Sequence, residues 1–278
     1  MRKDIQLQRN YYEKTAQDYN KMHVSGTGEH ELACALIHAL SVHYGFQSIL
    51  DVGSGTGRAL LELGKKLPEC RIVGIEPVAA LHQVGHNNGI SSEQLIDGDA
   101  TDMQYADNSF DLVCELGVLH HIPKPRLAVA EMLRVARKAI FISDSNRFGQ
   151  GPLPAKLIKL FCSKMKVWPV VDFVKTKGKG YMCSEGDGIS YSYSVFDDYD
   201  FIRAQCKQVM VFNLDGSGKH AITGAPHIGL LGIKTLNYSG GEREGGGVVV
   251  NAYKSIVYLL VINQYFPITV SKKVKNNQ

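Results

Sequence analysis

Three glycines at alternate positions, Gly53, Gly55 and Gly57, follow an apolar run that carries Asp51 near its end. Glycine permits positive φ angles and the close approach of a ligand to the backbone. The N-terminus of the leucine-rich helix that should follow favours a negatively charged group. This spacing predicts a nucleotide-binding turn, with a purely structural tight turn as the alternative. Arg58 occupies the position where a dinucleotide fingerprint has its third glycine, which disfavours an NAD site.

Two acidic residues follow at the ends of the next two predicted strands. Glu76 lies about 20 residues after the glycines, where a carboxylate can accept hydrogen bonds from both ribose hydroxyls. NAD enzymes use the same device, so Glu76 does not discriminate between cofactors. Asp99 and the backbone N–H of Ala100 could bind the amino edge of an adenine. The alternatives are a solvated carboxylate for Glu76 and a turn cap for Asp99.

Two adjacent histidines, His120 and His121, are the candidate catalytic residues. They lie in the loop after the fourth predicted strand, and Pro123 marks the start of the next helix. The near-neutral pKa of imidazole suits a general base. The alternative for each is a loop histidine that is hydrogen-bonded to the backbone. His23 and His227 are further candidates, and we expect His227 to be structural.

Short apolar segments alternate with amphipathic ones along the middle of the chain. Helices fit between the predicted strands at 57–66, 77–86 and 123–136. The pattern predicts an α/β fold with a Rossmann-like doubly wound sheet of about seven strands, mostly parallel, with a C-terminal antiparallel hairpin. Ligands of such sheets bind at the carboxyl ends of the strands. The predicted strands are 47–52, 71–76, 93–98, 110–115, 138–144, 207–213 and 227–234.

The composition divides the chain into three parts. Residues 1–46 are expected to form a helical cap, and 47–234 the main domain with a lid-like insertion at 145–195. The tail, 235–278, has no clear structural pattern, and 239–247 has the composition of a flexible linker.

The insertion is rich in lysine. Residues 152–180 contain seven lysines and only one acidic residue, Asp172. The simplest interpretation is the solvated face of a surface helix. The alternative is a basic lid that favours an anionic acceptor or an acidic membrane surface. The lysines are Lys156, Lys159, Lys164, Lys166, Lys175, Lys177 and Lys179.

The overall composition is that of a soluble protein. The formal net charge of +4 is too small to indicate nucleic-acid binding. The six cysteines are scattered without a CxxC pair, which favours reduced thiols over a metal site or disulfides. The apolar segment 255–270 is interrupted by Asn263, Gln264 and Pro267 and is shorter than the ~20 residues of a membrane span. We therefore expect a cytoplasmic location and no stable membrane insertion.

Taken in order, these motifs resemble the class I S-adenosylmethionine-dependent methyltransferases, in particular the small-molecule group that includes the ubiquinone and menaquinone biosynthesis enzymes. The resemblance covers 11–144 motif by motif. It implies S-adenosylmethionine as cofactor, S-adenosylhomocysteine as product and no metal. The motifs that carry it are DVGSGTG (51–57), Glu76 in GIEP, GDA (98–100), NSFDLV (108–113), LHHI (119–122) and the opening YYEKTAQDYNKMH (11–23).

The resemblance also implies roles for the residues that would face the methionine end of the cofactor. Gly53, Ser54 and Gly55 would lie against it, and Asp51 would organise their loop. Leu116 would offer its carbonyl near the methionine amine.

Four other residues would contact the nucleoside end or close the site. Glu76 would hold the ribose, while Asp99 and Ala100 would bind the adenine. Tyr19 is the candidate aromatic residue for closing over the cofactor, with simple packing as its alternative.

The expected reaction is methyl transfer to an oxygen or nitrogen of a small-molecule acceptor by in-line displacement. The cofactor carries the difficult chemistry, so alignment could suffice and a base is needed only where the acceptor loses a proton. Alternatives are a non-catalytic S-adenosylmethionine-binding module and an aminopropyl transferase. Nucleic acid is not an expected substrate, because GVLH (117–120) stands where an NPPY-type tetrapeptide would be. The acceptor and the oligomeric state stay open.

Overall fold

In a computed structural model of the chain, residues 2–19, 28–215 and 221–234 are described. The strands are β1 (Ser48–Val52), β2 (Arg71–Glu76), β3 (Leu95–Asp97), β4 (Phe110–Leu116), β5 (Ala136–Ser145), β6 (Met182–Ser184), β7 (Gly188–Ser190), β8 (Gln208–Asn213) and β9 (His227–Ile233). Seven of them form a central sheet of order β3-β2-β1-β4-β5-β9-β8. Strands β1 to β5 are parallel, and β9 pairs antiparallel with both β5 and β8. This sheet confirms the predicted fold class.

Helices cover both faces of the sheet, because side chains of alternating direction along each strand supply an apolar surface on each side. Leu50 of β1 packs in one buried cluster with Met132, and its neighbour Ile49 packs in the other with Ile37 and Leu63. The helices are α1 (Lys3–Thr15), α2 (Gly28–Tyr44), α3 (Arg58–Lys66), α4 (Ala79–Asn87), α5 (Pro125–Val135), α6 (Leu153–Lys164), α7 (Trp168–Lys175) and α8 (Tyr199–Arg203).

Most predicted elements lie within a few residues of the observed ones. The third strand is shorter than its predicted range of 93–98. Helix α8 is short and follows a 3₁₀ turn at 195–197. β5 begins at Ala136, inside the predicted helix, because this residue pairs with Phe110 of β4.

The segment after β5 contains α6, α7 and a separate two-stranded hairpin made of β6 and β7. Helix α1 contacts this hairpin through Gln8, whose side-chain oxygen accepts a hydrogen bond from the backbone N–H of Ile189. The Tyr191 hydroxyl donates to Asp4 at 2.8 Å, and the Tyr191 N–H donates to the His120 carbonyl at 2.8 Å. These bonds place the hairpin against the loop that follows β4.

The predictions for the tail at 235–278, the linker at 239–247 and His23 concern residues outside the described ones. Within the described ranges, no helix is both long enough and apolar enough to cross a bilayer.

Candidate functional site

The glycine turn connects β1 to α3. Its three glycines have φ angles of 71°, 55° and 76°, in the left-handed region that side chains disfavour. The N–H groups of Gly53 and Ser54 donate to the carbonyl of Ile75 at 2.8 and 3.0 Å, which ties the turn to β2. A Cβ at Gly55 would lie 2.9 Å from the hydroxyl oxygen of Tyr19. Glycine is therefore required here both by the backbone conformation and by the close approach of Tyr19.

Two buried carboxyl groups lie beneath this turn. Asp51 and Glu76 are 2% and 6% exposed. The Glu76 carboxylate accepts hydrogen bonds from the backbone N–H groups of Gly55 and Val78, both at 3.1 Å. Burial raises the pKa of Asp51 to about 6 and that of Glu76 to about 7. Both carboxyl groups therefore change charge near neutral pH, which couples the electrostatics of the turn to pH.

A pocket with about 810 Å³ of free space, including its open mouth, lies at the carboxyl edge of the sheet. Six of the predicted site residues line it, namely Tyr19, Asp51, Gly53, Ser54, Leu116 and His121. The other five, Gly55, Glu76, Asp99, Ala100 and His120, are outside the lining. The lining also contains residues that the sequence analysis did not select, namely Tyr12, Glu29, His30, Thr56, Arg58, Ala59, Gly117, Ser143 and Asp187.

Asp99 caps the turn after β3. Its Oδ1 accepts hydrogen bonds from the backbone N–H and the hydroxyl of Thr101, at 2.8 and 2.7 Å. Its Oδ2 lies 3.7 Å from the guanidinium of Arg9, which belongs to α1. The turn cap that the sequence offered as an alternative is therefore present, and an adenine-binding role for Asp99 and Ala100 stays a prediction.

His120 is held by a buried carboxylate. Its Nδ1 lies 2.7 Å from Oδ1 of Asp144, and its backbone N–H donates to Oδ2 of the same residue at 3.2 Å. Burial opposes a positive charge on the imidazole, but the Asp144 carboxylate outweighs it and raises the pKa of His120 to about 10. Burial likewise opposes the charge on Asp144, and His120 lowers the pKa of Asp144 to about 2.

His121 reaches the pocket and contacts the insertion. Its Nδ1 lies 2.6 Å from the carbonyl of Ile189, and its Nε2 lies 3.1 Å from the hydroxyl of Tyr12. Asp187 faces both histidines, with oxygens 3.4 Å from Nε2 of His120 and 3.3 Å from Nε2 of His121. Burial opposes the charge on Asp187, and the two histidines hold the pKa of Asp187 well below its usual range.

Two further histidines border the pocket. Nε2 of His227 lies 3.0 Å from the hydroxyl of Ser143, and burial lowers the pKa of His227. The buried Nε2 of His30, on α2, has no hydrogen-bond partner among the described residues. Burial lowers the pKa of His30 to about 3, so this imidazole is neutral at pH 7. Both contribute neutral polar groups to the wall.

The lysine-rich segment does not reach the pocket, since its lining contains no residue from 152–180. The Lys156 ammonium donates to the carbonyl of Thr223 at 2.8 Å. The Lys159 ammonium donates to the carbonyls of Arg147 and Gln150, both at 3.0 Å. Lys156 and Lys159 therefore hold α6 in place through these hydrogen bonds.

Residues 50–142 match the family model described as a methyltransferase domain. The chain is 35% identical over 94 residues to ajmaline N-methyltransferase of Rauvolfia serpentina, a match that covers 32% of each protein. It is 31% identical over 136 residues to the ubiquinone/menaquinone biosynthesis C-methyltransferase of Bdellovibrio bacteriovorus, which covers 46% of this chain and 57% of that protein. The chain thus spans between a third and somewhat over half of the length of these curated relatives.

Solved structures share the fold. A S-adenosylmethionine-dependent methyltransferase from Thermotoga maritima gives a TM-score of 0.50 at 14% identity, over 81% of this chain and 99% of that chain. A complex of DhpI with S-adenosylhomocysteine gives a TM-score of 0.50 at 16% identity, over 82% of this chain and 95% of that chain. At these identities the likeness establishes the fold.

Proposed function

We propose that the chain transfers a methyl group from S-adenosylmethionine to an oxygen or nitrogen of a small-molecule acceptor, because residues 50–142 match a methyltransferase domain. The observation that carries this proposal is that one pocket is lined both by the glycine turn, which would bind the cofactor, and by residues that would contact the acceptor. Asp51, Gly53 and Ser54 of the glycine turn form one wall, and His121 and Asp187 form another.

The residues around the turn suit this cofactor. The backbone of Gly53 and Ser54 and the Asp51 carboxyl group border the pocket where the methionine part would lie. Glu76 would accept hydrogen bonds from the ribose hydroxyls when ionised, and its own position is fixed by the two backbone N–H groups described above. Tyr19 lies over the turn, where it would cover the bound cofactor.

The sulfonium of the cofactor makes its methyl group electrophilic, so the protein has to align the acceptor and exclude water. His121 would receive the acceptor's proton, since its Nε2 lies at the pocket wall and its Nδ1 is hydrogen-bonded to the Ile189 carbonyl. One relative is named for ajmaline and N-methylation, and the other for ubiquinone/menaquinone biosynthesis and C-methylation. Both names support a small-molecule acceptor, and only the first supports nitrogen as the methylated atom.

Calorimetric titration with S-adenosylhomocysteine tests the cofactor assignment. We expect micromolar binding by the wild type, with loss of binding in Glu76→Ala. Glu93→Ala is the matched control, because Glu93 is an exposed acidic residue close to β3, and it should bind like the wild type. Absence of binding by the wild type would refute the proposal. Binding without methyl transfer to any compound in a metabolite screen would instead support the non-catalytic module.

A further inference from the structure

His120, His121 and Asp187 form a compact cluster at the pocket mouth. One ligand atom from each residue lies within 4.8 Å of the other two. The two imidazole rings have centroids 4.0 Å apart. Asp187 comes from the hairpin turn between β6 and β7, and it is 42% exposed, so the cluster is reachable from solvent.

Both histidines are oriented by acceptors on the side away from Asp187. Nδ1 of His120 faces the Asp144 carboxylate, and Nδ1 of His121 faces the Ile189 carbonyl. The Ile189 carbonyl, 2.6 Å from Nδ1 of His121, accepts from this nitrogen when it carries the proton, and the side-chain nitrogen of Gln8 lies 3.1 Å from the same atom. Both Nε2 atoms are therefore directed towards Asp187. Histidines that ligate metals are held in this way, with the second ring nitrogen donating to a carboxylate or a backbone carbonyl.

Two distances in the cluster, from the two Nε2 atoms to the two different oxygens of Asp187, are close to those between ligands of a tetrahedral ion. Zinc–nitrogen and zinc–oxygen distances of about 2.0–2.1 Å place two ligands of one ion about 3.4 Å apart. The observed Nε2–oxygen distances are 3.4 Å for His120 and 3.3 Å for His121.

We propose that His120, His121 and Asp187 form a binding site for a divalent metal ion of the zinc class. Two imidazoles and one carboxylate are ligands that Zn²⁺ accepts, once the ion has displaced the Nε2 proton of His120 to solvent, and three protein ligands would leave a fourth position open. His121 and Asp187 line the pocket, so an ion held by them would be reachable from it. An acceptor oxygen bound to the ion would release its proton to solvent more easily, and this would replace the proton-accepting role of His121, whose Nε2 would then hold the ion. This use of the ion rests on the proposed methyl transfer, whereas binding of the ion does not.

No metal was expected, because the cysteines show no metal-binding spacing and the family resemblance implies none. The cluster has no recognisable sequence spacing either, since 66 positions separate His121 from Asp187. The hydrogen bonds of α1 to the hairpin bring the carboxylate to the two histidines.

The test is direct titration of chelator-treated full-length protein with Zn²⁺ and Co²⁺, without cofactor or acceptor. We expect one ion per chain by calorimetry and the visible d–d bands of tetrahedral Co²⁺. Loss of an outer partner typically costs 10- to 100-fold in metal affinity, so loss of a ligand in Asp187→Asn should cost about 100-fold or more. His121→Gln is the second ligand variant, and circular dichroism identifies which variants are folded.

Two control variants address competing ligands. Cys183→Ser removes an exposed thiol on the same hairpin, and His43→Gln removes an exposed histidine of α2. Both should bind the ion like the wild type, and Co²⁺ should show no thiolate charge-transfer band. The proposal is wrong if the wild type binds no ion, or if folded Asp187→Asn and His121→Gln bind it as tightly as the wild type. Because S-adenosylhomocysteine binding is measured separately, failure of one proposal does not decide the other.

A second and independent observation concerns the outer surface of α6 and α7. On this surface, the α6–α7 face, large apolar side chains are 41–71% exposed. Single exposed apolar residues are common on proteins, whereas a group of them on one surface indicates an interaction site. They recur at helical spacing along α6 and continue onto α7. The residues are Leu153, Leu157, Ile158, Phe161, Met165, Val167, Val170, Phe173 and Val174.

Exposed lysines accompany this apolar face. Five of the seven lysines in 152–180 are exposed, and Asp172 is the only acidic residue in the segment. An apolar helical face with surrounding lysines is the pattern of a surface that lies in the headgroup region of an anionic membrane. The exposed lysines are Lys164, Lys166, Lys175, Lys177 and Lys179.

The geometry of the α6–α7 face points to peripheral docking on an anionic lipid bilayer. The positive charge of this face favours an anionic bilayer over a second copy of the chain, because two α6–α7 faces carry the same charge and would repel each other. Of the interpretations left open by the sequence, an anionic acceptor held by these lysines loses support, because none of them lines the pocket.

Co-sedimentation with vesicles of phosphatidylcholine alone or with phosphatidylglycerol tests the docking. We expect binding only to the anionic vesicles, weakened by salt, and lost in Leu157→Ser/Phe161→Ser. Each lysine near an anionic surface contributes about 1 kcal/mol, so Lys164→Gln/Lys166→Gln should weaken binding about 30-fold. Val42→Ser/Leu127→Ser is the matched control, since these residues are 66% and 50% exposed on other helices.

The outcome that overturns the docking is equal sedimentation of the wild type and the α6–α7 variants. Light scattering without vesicles provides the second decisive measurement. A wild-type dimer that dissociates in Leu157→Ser/Phe161→Ser, with no binding to anionic vesicles, would assign the α6–α7 face to self-association instead.

Discussion

The pKa of Glu76 makes cofactor binding depend on pH in a way that can be calculated. This buried carboxyl group has a pKa of about 7. Its ionised form, which accepts hydrogen bonds from the ribose, is about one tenth of the population at pH 6 and about nine tenths at pH 8. The affinity for S-adenosylhomocysteine should therefore rise about tenfold between these pH values. Asp51, with a pKa of about 6, adds to the rise at the acidic end.

Calorimetry of the wild type, Glu76→Gln and the control Glu93→Gln at pH 6, 7 and 8 measures this effect. Glu76→Gln keeps the size of the side chain and removes its titration, so its weaker binding should vary much less with pH. Glu93→Gln should keep the tenfold rise. A wild-type affinity that is constant from pH 6 to 8, or an unchanged pH dependence in Glu76→Gln, would refute the assignment of Glu76 to the ribose.

The same shift affects the stability of the free protein with the opposite sign. Burial raises the pKa of Glu76 from 4.5 to about 7, so the unfolded chain loses this proton first as the pH rises. The contribution of Glu76 to stability is full below pH 4.5 and is lost as the pH rises through 7. The shift corresponds to about 3 kcal/mol of unfolding free energy. Urea denaturation should show the wild type losing stability relative to Glu76→Gln between pH 5 and 8.

Two further variants test the turn and the core. Gly55→Ala places a Cβ 2.9 Å from the Tyr19 hydroxyl at a φ of +55°, so it should weaken S-adenosylhomocysteine binding at least about tenfold in calorimetry. Gly89 has a φ of +94° and open space around it, so Gly89→Ala should only reduce stability, which thermal denaturation measures. Leu63→Ala removes a fully buried side chain and should cost about 2–5 kcal/mol in urea denaturation. Leu127→Ala, at a side chain that is 50% exposed, should stay within about 0.5 kcal/mol of the wild type, and equal losses for both variants would contradict the assignment of the core.

The parallel strands were predictable because each is an apolar run bounded by turn residues. The range predicted for β2, 71–76, is the observed one. The end of α5 was predicted one residue late, at 136, and the start of β5 two residues late, at 138. The helix ends at Val135 since Ala136 pairs with Phe110 of β4, a partner 26 residues earlier in the chain. Tertiary pairing rather than local preference sets this boundary.

The candidate site divides in the same way. Asp51 and the glycine turn lie within one short motif, and Glu76 follows at the end of the next strand, so sequence spacing alone brings them together. His30 and Asp187 come from α2 and from the β6–β7 turn, and neither belongs to a motif. Their positions depend on the packing of elements that are distant in sequence.

Most of the residues that could be predicted would bind the cofactor, whereas Asp187, which could not be predicted, would contact the acceptor. The turn after β1 is local, and it would hold the cofactor. The wall opposite it depends on the β6–β7 hairpin, which α1 holds through Gln8 and Tyr191. The hairpin supplies Asp187 to His120 and His121, so the insertion and the matched domain together provide the groups that would meet the acceptor. Asp187 and α1 lie outside the matched residues 50–142, so we expect differences in acceptor specificity from methyltransferases with the same domain to originate there.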